Sequence, residues 1–163
     1  MKAMESCRKC GAPRELDHSR LVFVCHHCGA EELAPEGQRL FRLGPQAGLT
    51  CPVCAGMMHD AFVAGYPARV CGTCYGSLLR MDLLVSISDA VRLTKGPPLE
   101  SLPPRTQQPD DRTIVCPLGT HQMTSHVYGG PGNVVVDTCE ACHVVWLDPG
   151  ELLRMALAPR GYF

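Results

Sequence analysis

Cys51-Pro52-Val53-Cys54 and, sixteen residues on, Cys71-Gly72-Thr73-Cys74 decide how this chain is read. Between them lie two runs of β-formers, Ala61-Phe62-Val63-Ala64 and Ala68-Arg69-Val70, joined by Gly65-Tyr66-Pro67, so the stretch predicts strand, turn, strand. A C-x-x-C turn can present two thiolates to one ion, with backbone N–H groups directed at the sulfurs. Two such turns joined by a hairpin close a tetrahedral four-thiolate site, which suits Zn2+.

The same spacing recurs on both sides. Upstream, Cys7-x2-Cys10 and Cys25-x2-Cys28 bracket Arg20-Leu21-Val22-Phe23-Val24, a β-rich run into the second pair. Downstream, Cys139-x2-Cys142 follows Val127-Tyr128, a Gly129-Gly130-Pro131-Gly132-Asn133 turn and Val134-Val135-Val136. Only Cys116, which opens this last stretch, lacks a C-x-x-C partner. Gly11 and Gly29 follow Cys10 and Cys28, where a metal-binding turn often needs positive φ, and Pro52 and Pro117 stiffen the approach. Recurrence at this period is read before any global fold. The expected fold class is small, metal-stabilised α+β: three tandem zinc ribbons built from short antiparallel hairpins, with a helix after the second and a short C-terminal helix.

Composition agrees. Of 163 residues, 11 are cysteine and only nine are aromatic, too few for a large conventional core. An odd cysteine count and an N-terminus without an apolar signal core point away from a secreted disulfide scaffold and towards the cytoplasm. A thioredoxin-like pair would sit once, in a βαβ pattern that is absent. No apolar run reaches the ~18 residues that crossing a membrane needs. The formal charge of −1 argues against nucleic-acid binding by an overall basic field.

The third module departs from the pattern. Aligning Cys116 with Cys51 sets Met123 opposite Met58 and Gly119 opposite Cys54, so one sulfur is missing. His121 is favoured to replace it, with His126 next; His143, adjacent to Cys142, would have to strain back to the same metal. A site without metal, or three thiolates with a water, are the remaining readings. The expected ligands are therefore Cys7, Cys10, Cys25 and Cys28; Cys51, Cys54, Cys71 and Cys74; and Cys116, His121, Cys139 and Cys142, for two to three zinc ions per chain, three being favoured.

After Cys142, Trp146-Leu147-Asp148-Pro149-Gly150-Glu151-Leu152 passes from strand to helix. Asp148 is expected at the N-cap, Pro149 at N1 and Glu151 at N3, in a capping box, with the helix running to about Leu157. Trp146 is expected over the cysteine turn or on this helix. Together with Cys116-Pro117, Met123 and Val136-Asp137-Thr138-Cys139-Glu140-Ala141-Cys142, this segment resembles the bacterial "transcription factor zinc-finger" family, the zinc ribbon named after transcription factor IIB. The likeness covers about 40 residues. It departs at Gly119, is degenerate over 51–79, and is only generic over 7–28. It implies zinc and a ribbon fold; the family name implies transcription as a label rather than an activity.

The implied organisation is ribbon one at 1–34, a connector at 35–50 with a short strand at 38–43, ribbon two with an amphipathic helix at 51–95, a Pro-rich linker at 96–113 that leaves the next module free to move, and ribbon three with its helix at 114–163. Leu83, Leu84, Ile87, Ala90 and Val91 form one apolar stripe on the 82–95 helix. Packing on ribbon two and contact with a partner chain, or with a second copy, are equal readings of that stripe. No catalytic signature is present. The expected function is a zinc-bound protein-interaction adaptor, regulatory in character and not an enzyme. Nucleic-acid or transcription-associated binding ranks behind it, with Arg8, Lys9, Arg14 and Arg20 as the sole basic cluster, followed by zinc handling or redox sensing.

Overall fold

A computed structural model describes residues 5–17, 21–95 and 112–159. Three short strands come first, β1 (Glu15–Asp17), β2 (Val22–Val24) and β3 (Glu31–Leu33), then the single turn α1 (Pro35–Gln38). Next come β4 (Phe41–Thr50), β5 (Met57–Val63), β6 (Tyr66–Cys71) and β7 (Ser77–Arg80). A 3₁₀ turn at Met81–Leu83 leads into α2 (Leu84–Lys95). The remainder is β8 (Thr124–Val127), β9 (Val135–Cys139), β10 (Val144–Leu147) and α3 (Glu151–Ala156). The protein is thus small and α+β, with antiparallel sheets and three cysteine clusters that could bind metal. No helix among the described residues is long and apolar enough to cross a membrane.

The strands form two sheets. One is β1-β2-β3; the other has seven strands in the order β4-β5-β6-β7-β10-β9-β8. One order of elements follows each of Cys7, Cys51 and Cys116: a turn, two strands, a cysteine turn, a third strand and a helix. The third strands β7 and β10 pair antiparallel, Leu79 against Val145 and Leu78 against Trp146. This corrects the expectation of a freely moving last module: it continues the sheet of the module before it. The linker expected at 96–113 lies outside the described residues except for Arg112 and Thr113. Arg112 is anchored, donating two hydrogen bonds to Asp148 (2.7 and 2.9 Å) and one to Asp137 (3.2 Å).

The region expected as a connector holds the longest strand. β4 is an edge strand on β5, with register shifts after Leu43 and after Gln46, and Pro45 is tolerated because an edge leaves backbone donors unused. Its Phe41 is buried and stacks obliquely on Tyr75, centroids 6.3 Å apart.

Alternation along β10 sorts the core into two faces, as the period-2 geometry of a strand requires. Val145 and Leu147 join a buried cluster with Leu79, Ile87, Val91, Leu152, Leu153 and Met155, which covers the helices. Val144 and Trp146 face the other way, into a cluster with Met58, Leu78, Met123 and the sulfurs of Cys51, Cys71, Cys74, Cys116 and Cys139. The apolar stripe of the 82–95 helix is therefore core. Leu84, Ile87 and Val91 are buried, and α2 packs on α3. That stripe is not a free partner surface; Val85 and Leu93, at 61% and 83% exposed, lie outside it.

Two smaller expectations also change. The C-terminal helix starts at Glu151, and Gly150 in the left-handed region (φ 86°) takes the N-cap place. Glu151 still accepts from the Asp148 backbone N–H at 2.8 Å, which is half of a capping box, but the Asp148 carboxylate is engaged by Arg112 and by Trp146 Nε1 (3.0 Å). Two members of the basic cluster are paired with acids: Arg14 bridges Glu32 (2.5 Å) and Glu5 (2.6 Å) and stacks over Phe23, while Arg8 reaches Glu32 at 3.6 Å. Arg20 lies outside the described residues.

Candidate metal centres

Every cysteine of the chain belongs to one of three groups, and within each group all ligand atoms lie within 4.8 Å of one another: Cys7, Cys10, Cys25 and Cys28; Cys51, Cys54, Cys71 and Cys74; and Cys116, Cys139 and Cys142. The geometry begins in the turns. In four of them the residue after the second cysteine bonds back to the carbonyl of the first: Gly11 to Cys7, Gly29 to Cys25, Ala55 to Cys51 and Tyr75 to Cys71, at 2.8 to 3.1 Å. That residue has positive φ each time, as does His143 after Cys142. The two glycines adopt this freely, whereas Ala55 (φ 60°), Tyr75 (φ 63°) and His143 (φ 54°) do so against their Cβ. The glycine signal at Gly11 and Gly29 was legible in the sequence; applied to the equivalent positions, it would have found the other three.

The turns leave backbone N–H groups aimed at sulfur. Lys9 N–H lies 3.4 Å from Cys7 Sγ, Cys54 N–H 3.5 Å from Cys51 Sγ, Thr73 N–H 3.4 Å from Cys71 Sγ and Gly76 N–H 3.3 Å from Cys74 Sγ. Such donors favour the ionised thiol. Cys7 is lowered to about 6, chiefly by the backbone N–H groups of Cys10 and Lys9. In the second group Cys71 is driven far down by hydrogen bonds from Cys51, Cys54 and Cys74, while Cys74 is driven far up by its three neighbours. Sulfurs this close cannot all ionise unless a cation stands between them, which is what a metal supplies.

The sulfur spacing fits that role. Across the first group Cys7 and Cys28 are 3.7 Å apart and Cys10 and Cys25 3.5 Å; across the second, Cys51 and Cys74 are 3.9 Å apart and Cys54 and Cys71 3.5 Å. A tetrahedral ion with metal–sulfur bonds of about 2.3 Å has ligand–ligand edges of about 3.8 Å. Disulfides would need about 2.05 Å. All eleven thiols are free. A four-thiolate shell leaves no open position, so the first two groups can hold an ion but not offer it to a substrate.

The third group has three sulfurs, and the place of the fourth is visible. The turn after Cys116 resembles the others in one bond, from Cys116 N–H to the His121 carbonyl at 2.8 Å, which matches Cys51 to Gly56 and Cys71 to Gly76. A Cβ placed on Gly119 would fall 3.9 Å from Cys142 Sγ and 3.0 Å from His121 Nδ1. The imidazole thus fills the space a cysteine at 119 would use, with Nδ1 3.5 Å from Cys142 Sγ, although it is not part of the mutually close group. Burial raises Cys116 to about 11, so without a cation beside it this sulfur keeps its proton. His126 sits on edge strand β8, opposite Val136 and exposed; His143 shapes its turn, its carbonyl accepting from Met81 N–H at 3.0 Å. Neither belongs to the sulfur group.

Sequence reasoning missed how the second and third groups meet. Gly76, in the Cys71–Gly76 turn, lies so close under Trp146 that a Cβ there would stand 2.3 Å from the indole. Trp146 is wholly buried among the sulfurs of both groups. No protein-family model, no curated protein and no solved structure matches the chain.

Proposed function

We propose that the protein binds three zinc ions in three ribbon units and acts as a protein-interaction adaptor with no catalysis of its own. The observation that carries this is the sulfur geometry: eleven thiols in three groups, with cross-pair separations of 3.5 to 3.9 Å in the first two, near tetrahedral edges, and backbone donors aimed at sulfur. Zinc is the ion that such all-thiolate or three-thiolate, one-imidazole shells suit best, and Cys116, His121, Cys139 and Cys142 form the third shell. The recurring order of elements supports three ribbons, and the Trp146–Leu152 segment supports kinship with the transcription factor IIB type of ribbon. A closed shell favours a structural ion over a catalytic one. Exposed apolar side chains beside the turns, Val53, Met57 and Leu118, favour contact with protein over nucleic acid, as does the tying of Arg8 and Arg14 to Glu5 and Glu32.

The test is elemental analysis of protein purified without added zinc, followed by chelation. The expected result is about three zinc ions per chain and loss of the folded circular-dichroism signal when they are removed. Less than one ion per chain, or a fold that survives complete chelation, would overturn the reading. His121→Ala should remove or loosen one ion and His126→Ala should not; the reverse ranking would reassign the ligand.

A further inference from the structure

We infer that the third cluster is an exchangeable zinc site, closed by His121 as a removable fourth ligand, while the other two ions are permanent; this rests on the zinc reading above. Three observations converge. Gly119 withholds the fourth sulfur, so the shell is completed by a side chain five residues into the turn rather than by the turn itself. His121 is exposed and Cys142 half-buried, so this edge of the site faces water; Cys10 and Cys54 are exposed in the other two groups, but there the exposed ligand is a thiolate held in its own C-x-x-C turn rather than a neutral imidazole. The turns themselves are also less constrained. Thr120 lacks the positive φ found after the second cysteine elsewhere, and His143 N–H bonds to Glu140 at 3.4 Å instead of closing tightly on the first cysteine.

Exchange at such a site follows directly. An incoming donor from a competing chelator displaces the exposed imidazole, the ion leaves with the chelator, and the Cys116, Cys139 and Cys142 thiolates take protons from solvent. No electron is transferred, and the reverse steps reload the site. The three sulfurs stay in place because Cys116 and Cys139 are held in the Trp146 cluster. The partner chemistry is therefore a zinc chelator with nitrogen or sulfur donors, at low concentration of free ion.

The experiment uses the full zinc-loaded chain and the chromogenic chelator 4-(2-pyridylazo)resorcinol, following the absorbance of the zinc complex. One ion per chain is expected to leave at least about tenfold faster than the other two, the scale of change that ligand support confers on a metal site. His121→Ala should speed or empty that fast phase and leave two slow ions. Gly119→Cys combined with His121→Ala supplies a fourth thiolate and should move the fast ion into the slow phase. Release of three ions at one rate would overturn the proposal, as would a fast ion unchanged in both variants, or binding of only two ions at saturating zinc. A chain that holds no zinc at all would refute the zinc reading first, which total stoichiometry reveals before any rate is measured.

Discussion

Ala55 and Gly76 sit in neighbouring turns and answer to opposite constraints. Ala55 is held at φ 60°, where a Cβ crowds the carbonyl oxygen, because its N–H must reach the Cys51 carbonyl at 3.1 Å. Ala55→Gly removes that crowding and should stabilise the metal-loaded protein by about 1 kcal/mol, read as a higher denaturant midpoint. A lower midpoint would mean the left-handed turn is not populated. At Gly76 the limit is space. The indole of Trp146 is buried and cannot swing away, so Gly76→Ala should destabilise by about 1–3 kcal/mol and perturb the near-ultraviolet signal of the sole tryptophan. An unchanged tryptophan signal would contradict the close approach.

α2 shows what a sequence stripe can and cannot say. Its periodicity was legible: Leu84, Ile87 and Val91 do share a face. What covers that face was not, because the cover comes from α3 and from β7 and β10, elements that meet only once the sheet is assembled. Ile87→Glu should therefore place an unpaired carboxylate in the core and abolish cooperative thermal unfolding. A folded, soluble variant would show that the helix is peripheral. The cysteine turns were legible for the converse reason. Their ligands lie within a few residues of one another, so spacing alone specifies them. β4 was underestimated because Gly44, Pro45 and Gly48 weaken its strand signal, and an edge position with bulges tolerates all three. Asp148 was placed as a helix cap on local pattern, and the distant Arg112 claimed its carboxylate instead.

At the scale of the molecule, acidity should act through the thiols. Cys7 and Cys54 are held at about 6 and about 7 in the folded chain, Cys54 mainly by Cys51, both below their ordinary value. A group lowered on folding stabilises the fold fully above its unfolded value, and that contribution fades as pH falls through the folded value. Bound metal carries the window lower, because protons must then displace the ion. Acidification should release metal and loosen tertiary structure together, and a metal content unchanged at about pH 3 would refute thiolate ligation. The β7–β10 pairing adds a consequence in time. Each hairpin can close around its own ion through short loops, but setting Leu78 against Trp146 must wait for everything between them to be gathered in. On the zinc reading proposed above, assembly should be ordered: fast, zinc-dependent local closure first, then burial of the tryptophan as a slower step whose rate does not depend on zinc concentration, and stopped-flow tryptophan fluorescence whose slow phase scales with zinc would refute that order.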